Sequence, residues 1–191
     1  DQHARFLRSV SLVPGNAGKP LELALTVNHL DAGAIVCQLV SERETVCLLA
    51  VSSGPEPANK ISVFDARVGR ELRRLALPEN RLLPALASFE PVLHQGVLYV
   101  YNVSKVAAKA GSNPPGFLTA FHATADAGSN ALLWDAVAPS IPVGGGTTCR
   151  LVTAMKELLL FTASRGAAPC ENPDAPIAAV YSAGDGGYLR M

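Results

Sequence analysis

Apolar residues along the chain come in short runs. "GAIVCQLV", "TVCLLAVSS", "KISVFDA", "GVLYVYNVS", "GFLTAFHA", "ELLLFTAS" and "PIAAVYSA" are rich in Val, Leu, Ile, Tyr and Phe, and Gly, Pro, Ser or Asn bound them. β-Branched and aromatic side chains suit a pleated surface and the bounding residues suit turns, so the pattern predicts strands. Helical periodicity is not sustained anywhere. The best window, "SKVAAKAGS" from Ser104, allows a helical turn before Gly111 and the Asn113-Pro114-Pro115 run stop it. The 16 glycines and 14 prolines fall mostly between the runs. The expected class is all-β with many turns.

The runs repeat. Gly69, Gly128 and Gly187 stand at 59-residue intervals. Each follows an apolar strand (Ile61 to Asp65, Phe117 to His122, Ile177 to Tyr181) and precedes a Leu-bearing stretch, "RELRRLAL", "SNALLWDAV" or "GYLRM". Further upstream each unit has a hairpin whose second strand, "TVCLLAVSS", "GVLYVYNVS" or "ELLLFTAS", runs into a Pro-containing loop. Each unit is therefore four strands, A to D, with short A–B and C–D turns and a longer B–C loop. A tight C–D turn needs positive φ, which glycine adopts without a Cβ clash, so Gly69, Gly128 and Gly187 are expected as structural turn residues. A four-stranded sheet cannot bury both faces alone and must pack on others of its kind; radial repetition of such sheets makes a β-propeller. The predicted organisation is the last two strands of a preceding blade over 5–30, blade one over 31–80, blade two over 81–140 and blade three over 141–191. That makes about three and a half blades, fewer than the four or more of a closed ring. The chain is expected to be a segment of a larger propeller, and its start at Asp1 fits a processed product or a piece of something longer.

The segments "FDARVGREL" with "RRLAL", and "TAFHATADAGSNALLW", resemble the repeat of quinoprotein-type (PQQ-like) propellers, where a Y/F-x-Asp-x-x-x-Gly-x-x-Leu-x-Trp segment closes each blade. WD-like propeller repeats share the plan. The first copy matches at Phe64, Asp65, Gly69 and Leu72. The second matches at Phe121, Gly128, Leu132 or Leu133, and Trp134, with His122 where Asp is expected. The third has Tyr181 and Gly187, with Ser182 at the Asp position. The resemblance implies that Trp134 packs between adjacent blades. It also implies a cofactor site in the quinone enzymes, built from a vicinal cysteine pair, a calcium cluster and a catalytic Asp. The chain has no Cys-Cys pair, so the resemblance carries over the fold. No cofactor, metal or catalytic residue is assigned.

Composition removes several classes. Charged residues are 17% and apolar residues 49%, which excludes a wholly disordered chain. Net charge is zero, so no nucleic-acid or anionic-membrane partner has electrostatic support. No apolar run reaches the roughly 18 residues of a membrane helix, and the first residues lack a signal-peptide core.

Local motifs read as structure. Cys37, Cys47, Cys149 and Cys170 include no CxxC pair. Cys37 and Cys47 flank a hairpin expected to turn near Glu42 and Arg43, which would set them opposite or nearly so; a bridge or buried thiols both remain open. "NVS" at Asn102 matches the glycosylation tripeptide, but such tripeptides arise often by chance and the bland reading is preferred. Gly144 to Gly146 precede a strand rather than a helix, which suits a link between blades rather than a phosphate cradle. "SAGDGGY" lacks the acidic series of a calcium loop and suits a hairpin turn. His3, His29, His94 and His122 are scattered, the last two at rim turns, and no GxSxG elbow anchors a triad.

The expected function is a non-catalytic propeller scaffold mediating protein–protein contacts, its partners being other proteins or further blades from the same or another chain. The longest loop, with Lys105, Lys109 and Asn113, is the candidate partner-binding insert. The rival reading is a segment of a quinone-dependent or other propeller oxidoreductase with its catalytic residues elsewhere. A carbohydrate-active propeller would need clustered carboxylates, which the scattered Asp and Glu residues do not supply.

Overall fold

Strands are the only regular structure among the described residues, and they pair almost entirely antiparallel. In the computed structural model the described residues are 5–9, 21–25, 35–52, 59–67, 70–84, 89–105, 114–124, 130–140, 147–155, 158–165 and 178–190. Strands β1 (Arg5–Ser9) and β2 (Leu21–Leu25) form an antiparallel pair. Sheet I is β3 (Ile35–Glu42), β4 (Thr45–Ser52), β5 (Asn59–Asp65) and β6 (Arg70–Leu75), each paired with the next in sequence. Sheet II contains β7 (Arg81–Leu82), β9 (Val92–His94), β10 (Val97–Ser104), β11 (Gly116–His122) and β12 (Leu132–Ala138). Sheet III contains β8 (Phe89–Glu90), β13 (Thr147–Met155), β14 (Leu158–Arg165), β15 (Ala178–Ser182) and β16 (Tyr188–Arg190). The sheets are open, not closed into barrels.

Two features depart from a plain A-to-D meander. The first strand of sheet II is broken: β9 pairs the start of β10 through Val97↔His94, and β7 pairs its far end through Val103↔Leu82. Between those two pieces the chain leaves the sheet, and β8 joins sheet III as the parallel partner of β13. Pro91, which lacks an N–H to donate, separates β8 from β9. The cysteine expectation is also corrected. The β3–β4 turn is only Arg43 and Glu44, with Arg43 left-handed at φ 52°, so Cys37 pairs with Ala50 and Cys47 with Val40. The two cysteines are not cross-strand neighbours; Cys47 is a free, buried thiol. The helical turn expected after Ser104 lies mostly outside the described residues.

One core runs through all three sheets. Cys47, Leu49, Ile61, Val63 and Leu75 of sheet I join Leu98 to Tyr101, Leu118, Ala120 and Phe121 of sheet II and Ala179 and Tyr181 of sheet III. Both faces of β10 are buried, as "VLYVY" predicts: Leu98 and Val100 on one, Tyr99 and Tyr101 on the other. Register sets Tyr99, Ala120 and Trp134 in a row on the face toward sheet III. The opposite face, with Val100, Asn102 and Thr119, is equally covered, and sheet I is bonded to sheet II at both of its ends. Sheet II thus lies between its two sequence neighbours. Sheet I keeps a second, separate apolar cluster of Val46, Leu48 and Phe64 on its other face.

Candidate functional site

Three groups of polar contacts lie within and between the sheets. The first is the seam between sheets II and III. Trp134 is buried on β12, and its Nε1–H donates to the Ala183 carbonyl in the β15–β16 turn (2.9 Å). Its ring lies 5.9 Å from that of Tyr99, centroid to centroid. Gly186 in the same turn has φ 72° and faces the indole so closely that a Cβ there would sit 2.5 Å from Trp134 Cε3. The Tyr181 hydroxyl donates to the Val137 carbonyl across the seam (3.4 Å), and within sheet II the Tyr101 hydroxyl donates to the Pro139 carbonyl (3.1 Å). Burial, with a smaller contribution from Tyr188, pushes the Tyr181 phenol up to about 12, so it stays a neutral donor.

The second group lies at one end of sheets I and II. Asn59, first residue of β5, donates from Nδ2 to the Arg81 carbonyl (3.2 Å) and accepts at Oδ1 from the Leu83 N–H (2.9 Å). A side-chain amide thereby imitates a strand partner for the start of sheet II. The Arg81 guanidinium stacks on the Phe117 ring and pairs with Asp135 Oδ2 (3.0 Å). The Thr119 hydroxyl donates to Asp135 Oδ1 (2.6 Å) and accepts from Asn102 Nδ2 (2.7 Å). Both carboxylate oxygens of Asp135 are therefore engaged by groups of its own sheet. A carboxylate so held ties β7, β11 and β12 together.

The third group is at the opposite end, where the β3–β4, β9–β10 and β11–β12 turns meet. Glu42 Oε2 accepts from the Gly96 N–H (3.0 Å), and Oε1 lies 3.8 Å from His94 Nδ1. Burial pushes the Glu42 carboxyl up, but the Gln95 and Gly96 N–H groups, then His94 and Arg43, outweigh that and hold it below its usual value. Arg73 Nη1 donates to the His122 carbonyl (3.5 Å), and Thr124 Oγ1 lies 3.5 Å from His122 Nδ1. His94 and His122 flank the same cluster of turns. Among the described residues, no group of three or more His, Cys, Asp or Glu could hold a metal ion. Desolvation pushes the Cys47 thiol up to about 12, which suppresses its nucleophilic thiolate.

The sequence-derived site residues fall as follows. Gly69, Gly128, Lys109 and Asn113 lie outside the described residues. Gly187 is in the β15–β16 turn, where its N–H donates to Asp185 Oδ1 (3.0 Å), but the left-handed residue is Gly186, one position earlier. Glycine does supply the positive φ there, from the other half of the Gly-Gly pair. Lys105 is exposed at the end of β10, and its N–H donates to the Asn80 carbonyl (2.7 Å). For Asn102 the structure agrees with the bland reading of the tripeptide. Its side chain is fully buried, and the Nδ2 that would carry the glycan is bonded to Thr119. Sequence reasoning missed Asn59 and Glu42, because nothing in a linear pattern marks which polar residue at a strand end faces a neighbouring sheet, and it missed the Arg81–Asp135 pair, which spans sheet II between residues 54 positions apart.

The surface carries one further pattern. Sheets I, II and III each end on a last strand, β6, β12 or β16. Among the residues whose side chains are described, which do not include those of β1, β2, β13 and β14, Leu72, Leu133, Val137, Tyr188 and Leu189 are exposed on those strands, and Leu39 is exposed on β3. Val137 is the extreme, at 75% exposed. No protein-family model matches the chain, and no curated protein is recognisably related to it.

Proposed function

We propose that the chain is a segment of a β-propeller that acts as a rigid scaffold for protein contacts, with the last strand of each sheet turned toward partners. One observation carries the reading: sheet II is buried on both faces between the sheets that precede and follow it in sequence, and Trp134 fastens it to the next turn. Face-to-face stacking of consecutive four-strand meanders is how propeller blades cover their apolar sides. The exposed apolar residues of β6, β12 and β16 support the contact role, since polar-rimmed apolar positions on a stiff frame mark interaction surfaces. Further blades from the same or another chain would complete the ring, and bound proteins would lie along its outer strands.

Light scattering on the purified chain, alone and as a Leu133→Glu/Val137→Glu variant, tests this reading. Self-association of the parent chain is expected, reduced in the variant at unchanged circular dichroism. A monodisperse parent monomer that melts in one sharp transition would refute the need for further blades. Equal association of the two proteins would remove the outer strand from the contact.

A further inference from the structure

Glu42 ends β3, yet its carboxylate serves a different sheet. It reaches the β9–β10 turn of sheet II, where Gln95 and Gly96 are both left-handed, at φ 51° and 76°. With two residues between His94 and Val97, this is the type I′ geometry that matches strand twist. Successive N–H groups of a turn form a concavity suited to an anion. Here the Gly96 N–H is bonded to Glu42 Oε2, and the Gln95 N–H acts on the same carboxylate. The anion is thus supplied from the neighbouring sheet. Thr124 closes the other side of the turn, since a Cβ on Gly96 would lie 2.9 Å from its Oγ1. The turn is held to its own sheet by the Ala123 N–H on the Gly96 carbonyl (2.8 Å), and Glu42 is its charge-assisted fastening to sheet I, one that responds to protons.

We propose that Glu42 is an acid-sensitive latch: its ionised carboxylate closes the rim joint between sheets I and II, and its protonation frees the β9–β10 turn. The facing groups are His94 at the end of β9 and Arg43 in the β3–β4 turn. Glu44 of that turn is engaged by Arg67 (3.2 Å), and Arg73 and His122 meet one step along the rim. The carboxyl is held below its ordinary value of 4.5, so the fold favours its charged form. Its contribution to the joint is therefore complete above that value and is lost as pH falls through the lowered folded value. The latch is independent of whether the sheets belong to a ring.

Amide exchange of the full chain, read by mass spectrometry on peptides spanning 92–98 and corrected for intrinsic rates at each pH, tests the latch. Glu42→Gln is expected to speed exchange in that segment about tenfold at neutral pH, the effect of losing one charge-assisted bond, and to abolish its pH dependence. Asp185→Asn, which removes a carboxylate capping the sheet III turn, is expected to leave the segment unchanged. Equal protection in Glu42→Gln and the parent overturns the proposal, as does a loss spread evenly over all three sheets. Should Glu42→Gln fail to fold, the parent protein still decides through the Gly96 amide proton resonance. It must shift in step with a carboxyl titrating below 4.5, and a resonance flat through that range overturns the latch.

Discussion

The indole of Trp134 donates to the carbonyl of Ala183 across 2.9 Å, tying the last strand of sheet II to the turn before the last strand of sheet III. Trp134→Phe keeps most of the buried ring and removes the bond, so a loss of about 1 kcal/mol is expected. Trp134→Ala removes the ring as well, with a loss of about 3–5 kcal/mol. Chemical denaturation separates the two. As Trp134 is the only tryptophan, its emission reports this seam alone and should move to the red on unfolding.

Gly186→Ala strikes the same seam from the other side. The substitution meets two penalties at once: a left-handed φ of 72° and a Cβ 2.5 Å from the rigid indole. Gly184→Ala, two residues earlier, has ordinary φ, and the nearest atom is Ser182 Oγ at 3.9 Å. Gly186→Ala is expected to cost about 2 kcal/mol or more and Gly184→Ala well under 1 kcal/mol. Equal melting temperatures for the two variants would contradict this account of the turn.

Asn102 is expected to stay unmodified in the folded protein, because its Nδ2 is committed to Thr119 Oγ1 at 2.7 Å with no solvent around it. After expression through a glycosylating secretory pathway, the mass of the folded protein should be the same with and without Ser104→Ala, apart from the side-chain difference. Asn102→Asp is expected to destabilise by about 1–3 kcal/mol, since it replaces the donor in the Asn102–Thr119–Asp135 line with a second carboxyl.

Strand existence was legible because a pleated ribbon imposes its own composition: β5, β10, β11 and β14 lie within a residue or so of the apolar runs that predict them. Turn geometry was less so. A left-handed arginine at position 43 carries no sequence signal, and the turn it shares with Glu44 sets Cys37 opposite Ala50 and Cys47 opposite Val40. The split first strand of sheet II was hidden for another reason. Its pieces are two and three residues long, too short for a period to declare itself, and β8 between them pairs with a strand about sixty residues away. The likeness to a repeat gives Trp134 a docking role between blades; in the structure its indole is buried against the β15–β16 turn. The rim contact of Glu42 was not anticipated at all, because a glutamate at a hairpin turn reads as a solvated charge until a second turn is brought against it.

Asn59 offers the sharpest separation between a side chain that merely fills space and one that fastens two sheets. Its amide donates to the Arg81 carbonyl and accepts from the Leu83 N–H. Leu83 itself is only 3% exposed, so its N–H has little access to water if the amide is removed. Asn59→Ala should therefore leave a buried donor unsatisfied and cost about 1–3 kcal/mol, more than the net value of one exposed hydrogen bond. Asn59→Asp keeps the acceptor for Leu83 but turns a carboxylate oxygen toward the Arg81 carbonyl, where two acceptors repel. It should be destabilising at neutral pH and recover as acid protonates the new carboxyl and restores a donor. Asn59→Ala should show no such recovery. Denaturation of both variants at neutral and acidic pH decides the matter: parallel responses would mean that Asn59 does not bridge sheets I and II.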